Sequence, residues 1–350
     1  MLIDLIKVFI ILLNKNSNFI FFCENNVIYE KIFYTTILDL IKRKKILIII
    51  TLNSEINKSL KSKYFNYYNF SNINSIFILL KIIKSKIIIT STPTINKSIN
   101  HYNRYIYVQH SLIRLVNFYS KKYLKYFDVV FVSNIDQFND IKPLSLKYGI
   151  AVKKIRYHNI KFINSKNKVL KKNKTILIAT SFYGNHILKL IKRSFLEKIL
   201  TKYNIIFRLH SETSKNSFYL RKINKLGLFF KDKNLKFSNE LSNFNDINNS
   251  DYLITDFSGI ALTFSLKKKI PTIVVLKNYR DILILRNNFS STTIKKILIE
   301  SDLDCKKISN LIKKIDYNKK YYNHSISKYS HELFKDFNNK NLLSNYLLRI

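Results

Sequence analysis

Five loops in this 350-residue chain place chemically able side chains directly after short apolar runs. The richest is Asp251-Tyr-Leu-Ile-Thr255-Asp256-Phe-Ser258-Gly259, which continues as Ile260-Ala-Leu-Thr-Phe-Ser-Leu266. An apolar strand that ends in Thr255-Asp256, turns at Ser258-Gly259 and re-emerges as an apolar helix sets fresh helix amides at the carboxyl edge of a parallel sheet. Ligands bind at that edge, and free N–H groups of a helix start suit phosphate. One of only four glycines lies in this turn. Asp256 and Ser258 also suit helix capping, worth about 1 kcal/mol, and a capped helix start is still a preorganised anion site.

Three more loops carry candidates. Thr175-Ile-Leu-Ile-Ala-Thr180 leads into Ser181-Phe-Tyr-Gly184-Asn185-His186, where backbone amides can cradle phosphate or Ser181 or Asn185 can simply cap a helix. Asn204-Ile-Ile-Phe leads into Arg208-Leu-His210-Ser-Glu212-Thr213. Arginine is suited to bidentate phosphate contact, and strand alternation sets Arg208 and His210 on one side. The plainer alternative pairs Arg208 with Glu212 at the surface. Tyr105-Ile-Tyr-Val-Gln109 ends in His110-Ser111, where a histidine can act as a general base near neutral pH or merely bridge two loops. The fifth loop, Thr90-Ser-Thr-Pro-Thr94, turns the chain and is assigned no chemistry. Asp302-Leu-Asp304 opens an amphipathic helix and is no metal motif; His324 and His331 sit two turns apart on one exposed helix face. No Gly-x-Ser-x-Gly elbow and no dinucleotide fingerprint occurs.

The elements that must hold these loops alternate along the chain. Strands are expected at 19–23, 46–51, 86–90, 105–109, 128–133, 175–179, 205–209, 252–255 and 272–276, each a short continuous apolar run of the kind buried on both faces of a parallel sheet. Helices are expected at 27–42, 75–84, 135–148 (stopped by Gly149), 186–201, 214–226 and 260–268. A lysine-rich connector at 164–173 separates an amino-terminal domain, 1–163, from a carboxyl-terminal domain, 174–350, whose last helices can pack back on the first. Two doubly wound, Rossmann-like α/β domains facing across a cleft are the economical architecture.

The net charge of +39 invites a nucleic-acid reading. Lysine outnumbers arginine 51 to 10, and Ile, Asn, Phe and Tyr abound while Gly, Pro and Trp are scarce, the profile of an AT-rich genome. No basic recognition helix, zinc finger or aromatic RNA-binding signature accompanies the charge, so no specific nucleic acid is expected. An anionic membrane surface and phosphorylated substrates remain natural partners. Lys267-Lys-Lys269 is one of several short basic clusters. Cys23 closes an apolar run and reads as a buried core thiol; with Cys305 it makes no disulfide framework. The longest early apolar run, Val8 to Leu13, is far below the ~20 residues of a membrane span. The first helix is expected to serve the core rather than to touch a membrane.

The motifs resemble, in order and spacing, those of the CDP-glycerol glycerophosphotransferase family, the teichoic-acid-type polyol-phosphate transferases with the GT-B fold. Ile20 to Tyr29 is similar to that family's opening strand and loop, Gln109-His110-Ser111 to its histidine motif, and Ile178 to Asn185 to its first carboxyl-domain loop. Arg208-Leu-His210 resembles its Arg-x-His-Pro motif, and Thr255-Asp256-Phe-Ser258-Gly259 its Thr-Asp-aromatic-Ser-Ser/Gly signature. The resemblance implies transfer of a polyol phosphate from a CDP-activated donor to an acceptor hydroxyl in surface-polymer synthesis. His110 would be the base. Ser181, Gly184, Asn185, Arg208, His210, Thr255, Asp256, Ser258 and Gly259 would bind the donor phosphates and nucleotide, with neither metal nor other cofactor. A lipid-linked or glycan acceptor and a cytoplasmic site on the inner face of the membrane follow. The chain departs from the pattern at Leu112, at Ser211 in place of proline, and at Thr263 where a carboxylate is common. Two other readings stay open: a GT-B glycosyltransferase using a nucleotide sugar for capsule or lipopolysaccharide, and a non-catalytic basic membrane- or nucleic-acid-binding protein.

Overall fold

The nine apolar runs become nine buried strands, and four more strands flank them. The computed structural model describes all residues except 1, 14–16, 25–28, 54–63, 93–99, 116–120, 166–173, 182–185, 211–216, 231–233, 239–243 and 338–341. Two units result, Met1–Asn159 with Phe334–Ile350, and Ile160–Leu333. Most of the lysine-rich connector lies outside the described residues.

The first unit holds β1 (Phe19–Cys23), β2 (Leu47–Leu52), β3 (Phe65–Phe70), β4 (Ile87–Thr90), β5 (Arg104–Val108), β6 (Val129–Val132) and β7 (Ala151–Lys154). They form one parallel sheet in the order β3-β2-β1-β4-β5-β6-β7. The second unit holds β8 (Thr175–Ala179), β9 (Asn204–Arg208), β10 (Leu235–Ser238), β11 (Tyr252–Thr255), β12 (Thr272–Val275) and β13 (Leu298–Ser301). Its parallel sheet runs β10-β9-β8-β11-β12-β13. Each sheet therefore reverses its winding once, between β1 and β4 and between β8 and β11, and such a reversal opens the crevice where doubly wound folds bind ligands.

Sequence reasoning misses four strands, and these are the four sheet edges: β3, β7, β10 and β13. An edge strand has one half-solvated flank, so its residues alternate or stay half-buried and form no continuous apolar run. The helix expected at 186–201 is two pieces, His186–Leu190 and Arg193–Leu200. Gly149 ends the helix Ile135–Tyr148 in the left-handed region at φ 68°, as a terminal glycine should. Cys23 is fully buried and burial pushes its thiol pKa up, the behaviour of a core residue.

Two helices depart from their expected surroundings. The first is α1, Leu2–Leu13, of which only Asp4, Val8 and Ile11 are buried. Asp4 accepts hydrogen bonds from Ser71 N (3.0 Å), Ser71 Oγ (2.8 Å) and Asn72 N (3.0 Å), just before α2, Ile73–Ile82. Burial pushes its pKa up, but the bonds from Ser71, Lys7 and Asn72 outweigh that and hold it below the usual carboxylate value. The expected core role is thus met by one narrow stripe only. The second is α3, Ile260–Lys268, buried along its whole length. Its Lys267 Nζ donates to Ser165 O and Oγ, each at 2.6 Å, and Lys268 Nζ to Asn248 O at 3.1 Å. Two of the three lysines of the basic cluster are therefore interior, and Lys269 is half-buried.

Burial lowers the Lys268 pKa to about 8. Between that value and the ordinary lysine value the unfolded chain holds a proton that the folded chain does not, so stability rises with pH across the window. Lys268→Met is expected to remove that rise and leave the melting temperature at pH 7 equal or higher, as thermal melts from pH 7 to 10 would read.

Candidate functional site

The ends of β8, β9 and β11 are brought side by side by parallel register. Thr255 lies opposite Ala179, and Ala179 opposite Arg208. Side-chain and loop hydrogen bonds then lock the three ends together. Thr255 Oγ1, fully buried, donates to Ala179 O at 2.7 Å. Ser181 N donates to Asp256 Oδ1 at 2.8 Å, which ties the loop after β8 to the turn after β11 across the point where the winding reverses. On the other side Thr180 N donates to Arg208 O at 3.1 Å and His210 N to Thr180 Oγ1 at 2.9 Å.

Asp256 is the buried centre of this arrangement. It is fully shielded from solvent, and its Oδ2 makes no hydrogen bond among the described residues. Burial raises its pKa to about 6, against the opposing hydrogen bonds from Ser181 and nearby backbone. A carboxylate placed there holds the Ser181 loop, while its charge would repel a phosphate in direct contact. Ser258 and Gly259 stand half-exposed at the start of α3. Neither Asp256 nor Ser258 caps that helix in the expected way: the N-cap is Gly259, with φ −60° and no side-chain cap bond, and Ser258 Oγ reaches only Ile260 N at 3.5 Å. Asp256 is drawn to Ser181 instead. The first amides of a helix have no intrahelical partner, so without a side-chain cap they suit an anion. Thr263 is buried within α3.

Glu212, the surface partner weighed for Arg208, lies outside the described residues, and the guanidinium has a partner elsewhere. Its NH1 donates to Asp246 Oδ2 at 2.7 Å, and Ser238 Oγ donates to the same oxygen at 2.5 Å. Asp246 is buried and fixes the guanidinium at the carboxyl end of β9. Sequence reasoning passes over Asp246 because it lies on a short helix, Phe244–Asn248, with no motif around it. Gly184 and Asn185 lie outside the described residues.

In the first unit His110 follows β5. Its Nδ1 lies 3.1 Å from Ser91 O, at the end of β4. A carbonyl oxygen only accepts, so Nδ1 carries the proton and Nε2 keeps its lone pair, the tautomer a general base needs. Burial lowers the imidazole pKa, partly offset by the Ser91 carbonyl. The loop itself is fixed from beneath. Gln109 Oε1 accepts from Tyr107 Oη at 2.6 Å and His110 N at 3.2 Å, and Gln137 Nε2 donates to Ser111 O at 2.6 Å and Ile113 O at 3.0 Å. The loop after β4, expected to carry no chemistry, thus supplies the group that sets the histidine tautomer. Nearby, Thr92 Oγ1 donates to Glu24 Oε2 at 3.3 Å across the winding reversal of this sheet. Gln137 could have been suspected from Asn134, whose side chain accepts from Gln137 N as the cap of the following helix.

Among the described residues no group of three or more His, Cys, Asp or Glu side chains is placed to hold a metal ion. Asp304 caps the helix Cys305–Tyr317 through Lys307 N at 2.8 Å, and Asp302 pairs with Lys307.

These two reversed parallel sheets define a two-domain, Rossmann-like α/β fold of the GT-B kind. Solved structures share it. The wall teichoic acid polymerase TagF superposes with a TM-score of 0.60 at 14% identity over 95% of this chain and 87% of that one. A TagF variant soaked with CDPG gives 0.62 at 14% identity over 98% and 90%. A putative UDP-N-acetylglucosamine 2-epimerase from Listeria monocytogenes gives 0.53 at 11% identity over 95% of each chain. No protein-family model matches the chain, and no curated protein sequence does. The likeness of fold to a teichoic acid polymerase agrees with the family that the strand-end loops resemble.

Proposed function

We propose that the chain is a transferase that moves glycerol phosphate, or a related polyol phosphate, from a CDP-activated donor to an acceptor hydroxyl on a lipid-linked or glycan chain. The observation that carries this reading is the locked junction at the β8–β11 reversal. There the Ser181 loop, the Ser258-Gly259 helix start and Arg208 converge in the second unit, and a solved TagF structure with the same fold was soaked with CDPG.

In the proposed reaction Arg208 and His210 hold the donor pyrophosphate. The amides at Ser258-Gly259 and the Ser181-to-Asn185 loop take the remaining phosphate oxygens. Thr255 and Asp256 act from below, by fixing the strands and the Ser181 amide rather than by touching phosphate. Nε2 of His110 removes the proton from the acceptor hydroxyl, whose oxygen attacks the polyol phosphorus. The bond from that phosphorus to the bridging oxygen breaks, and CMP leaves with the electron pair. Charge grows on the equatorial oxygens and on the leaving group, so positioning and cationic donors supply most of the acceleration.

Incubation with labelled CDP-glycerol, a panel of nucleotide sugars and membrane extract tests the reading. Release of CMP with label in polymer is the expected outcome, whereas consumption of sugar donors alone would replace it with a glycosyltransferase. Arg208→Lys is expected to raise the donor KM by about tenfold or more, because an ammonium cannot reproduce the planar two-point contact. Steady-state kinetics with varied donor would show it.

A further inference from the structure

Seven side chains of α1 are exposed, and all seven are large and apolar: Leu2 72%, Ile3 69%, Leu5 39%, Ile6 52%, Phe9 63%, Ile10 46% and Leu13 63%. At 3.6 residues per turn they sweep an unbroken arc of about 160°, bordered by the half-buried Lys7 and Leu12. A helix at a water-facing surface normally shows the opposite pattern, with polar residues outward. Rotation cannot hide this arc. Asp4 is bonded to Ser71 and Asn72, and Lys7 reaches both Asp4 and the Asn69 carbonyl, so the polar stripe is fixed inward. The neighbouring α2 adds Ile78, 42% exposed, and Ile82, 51% exposed.

The exposed charged side chains at the end of α2 are basic. Exposed Lys81 and Lys84 flank Ile82, and Lys84 Nζ sits 4.8 Å above the exposed ring of Tyr102. An apolar arc edged by ammonium groups and an aromatic ring matches the interfacial layer of a membrane whose lipids carry negative charge.

We propose that the outward face of α1, with the end of α2, is a docking surface for an anionic lipid bilayer. The helix lies in the plane of the headgroups, inserts Leu2, Ile6, Phe9 and Leu13, and sets Lys81 and Lys84 against lipid phosphates. Among the described residues no helix is long and apolar enough to cross the membrane, so the contact is one-sided. The inference stands apart from the transfer reaction, since no donor enters its test.

The chain contains no tryptophan, so Phe9→Trp makes α1 report its own surroundings. With the full chain, indole emission is expected to shift to the blue on vesicles of phosphatidylcholine with phosphatidylglycerol, and much less on phosphatidylcholine alone. Tyr317→Trp, at a site 90% exposed in the other unit, is expected to stay unshifted. Ile6→Ser with Phe9→Ser, both at exposed sites, is expected to keep the melting temperature and lose at least about tenfold in vesicle partition. The proposal is overturned if the Phe9→Trp variant keeps a solvent-like emission on vesicles that bind the chain, or if the double serine variant partitions like the parent. A lipid-free dimer that the serine pair dissociates would also overturn it, because the occupant would then be a second copy.

Discussion

His110→Ala is expected to lower kcat of polyol-phosphate transfer by about 10²–10⁴-fold while leaving the donor KM nearly unchanged. The expectation rests on the tautomer. The Ser91 carbonyl engages Nδ1 and so leaves the lone pair on Nε2, and burial keeps the ring's pKa below the ordinary imidazole value. A base must be neutral to act, so the acid limb of the kcat/KM profile is expected below pH 6.5, and the Ala variant is expected to lose that limb. The same shift has a stability consequence with a definite sign. In the window between the lowered folded value and the ordinary one, the unfolded chain binds a proton that the folded chain refuses. Stability therefore falls as pH drops through that window. Full transfer activity in the Ala variant would remove His110 from the mechanism.

The second large effect is at Asp256. Its folded pKa of about 6 lies above the ordinary aspartate value, so between the two the folded state holds a proton that the unfolded state has released. Stability then falls as pH rises from about 4 to 6 and stays lower above it, by an amount on the order of 2–3 kcal/mol for a shift of that size. Asp256→Asn keeps an oxygen for the Ser181 amide and removes the buried charge. It is expected to melt higher than the parent at pH 7, to lose the stability slope between those two values, and to retain most transfer activity, because in the proposed reaction Asp256 acts through the Ser181 loop it holds. Asp256→Ala leaves the Ser181 amide without its acceptor. It is expected to cost about 1–3 kcal/mol relative to the Asn variant and to raise the donor KM. Thermal melts across pH, read beside donor kinetics, separate these cases. An Asn variant that loses all activity at unchanged stability would show that the carboxylate itself meets the substrate.

The amino-acid sequence determined the central strands and the candidate loops. A strand buried on both faces must be apolar throughout, and a chain that turns from strand to helix must spend polar or small residues on the turn. Runs such as Phe19–Cys23 and Thr175–Ala179, and the turn Thr255 to Gly259, are legible for that reason. The edge strands β3, β7, β10 and β13 were not, since half-solvated strands need no apolar run.

What only the tertiary structure decided is which groups meet. Parallel strands join residues far apart in sequence, and no local pattern encodes the neighbour. Asp256 binds the Ser181 amide 75 positions away, Arg208 is held by Asp246 38 positions on, and His110 takes its tautomer from Ser91 19 positions back. The same holds for burial of charge. Lys267 and Lys268 read only as a short basic cluster until the fold gives them carbonyl oxygens inside, and α1 reads as a core helix until Asp4 turns its polar stripe inward. Apolar periodicity says that a helix has a face. Which way the face points is set by the few polar bonds that cost most to leave unmade.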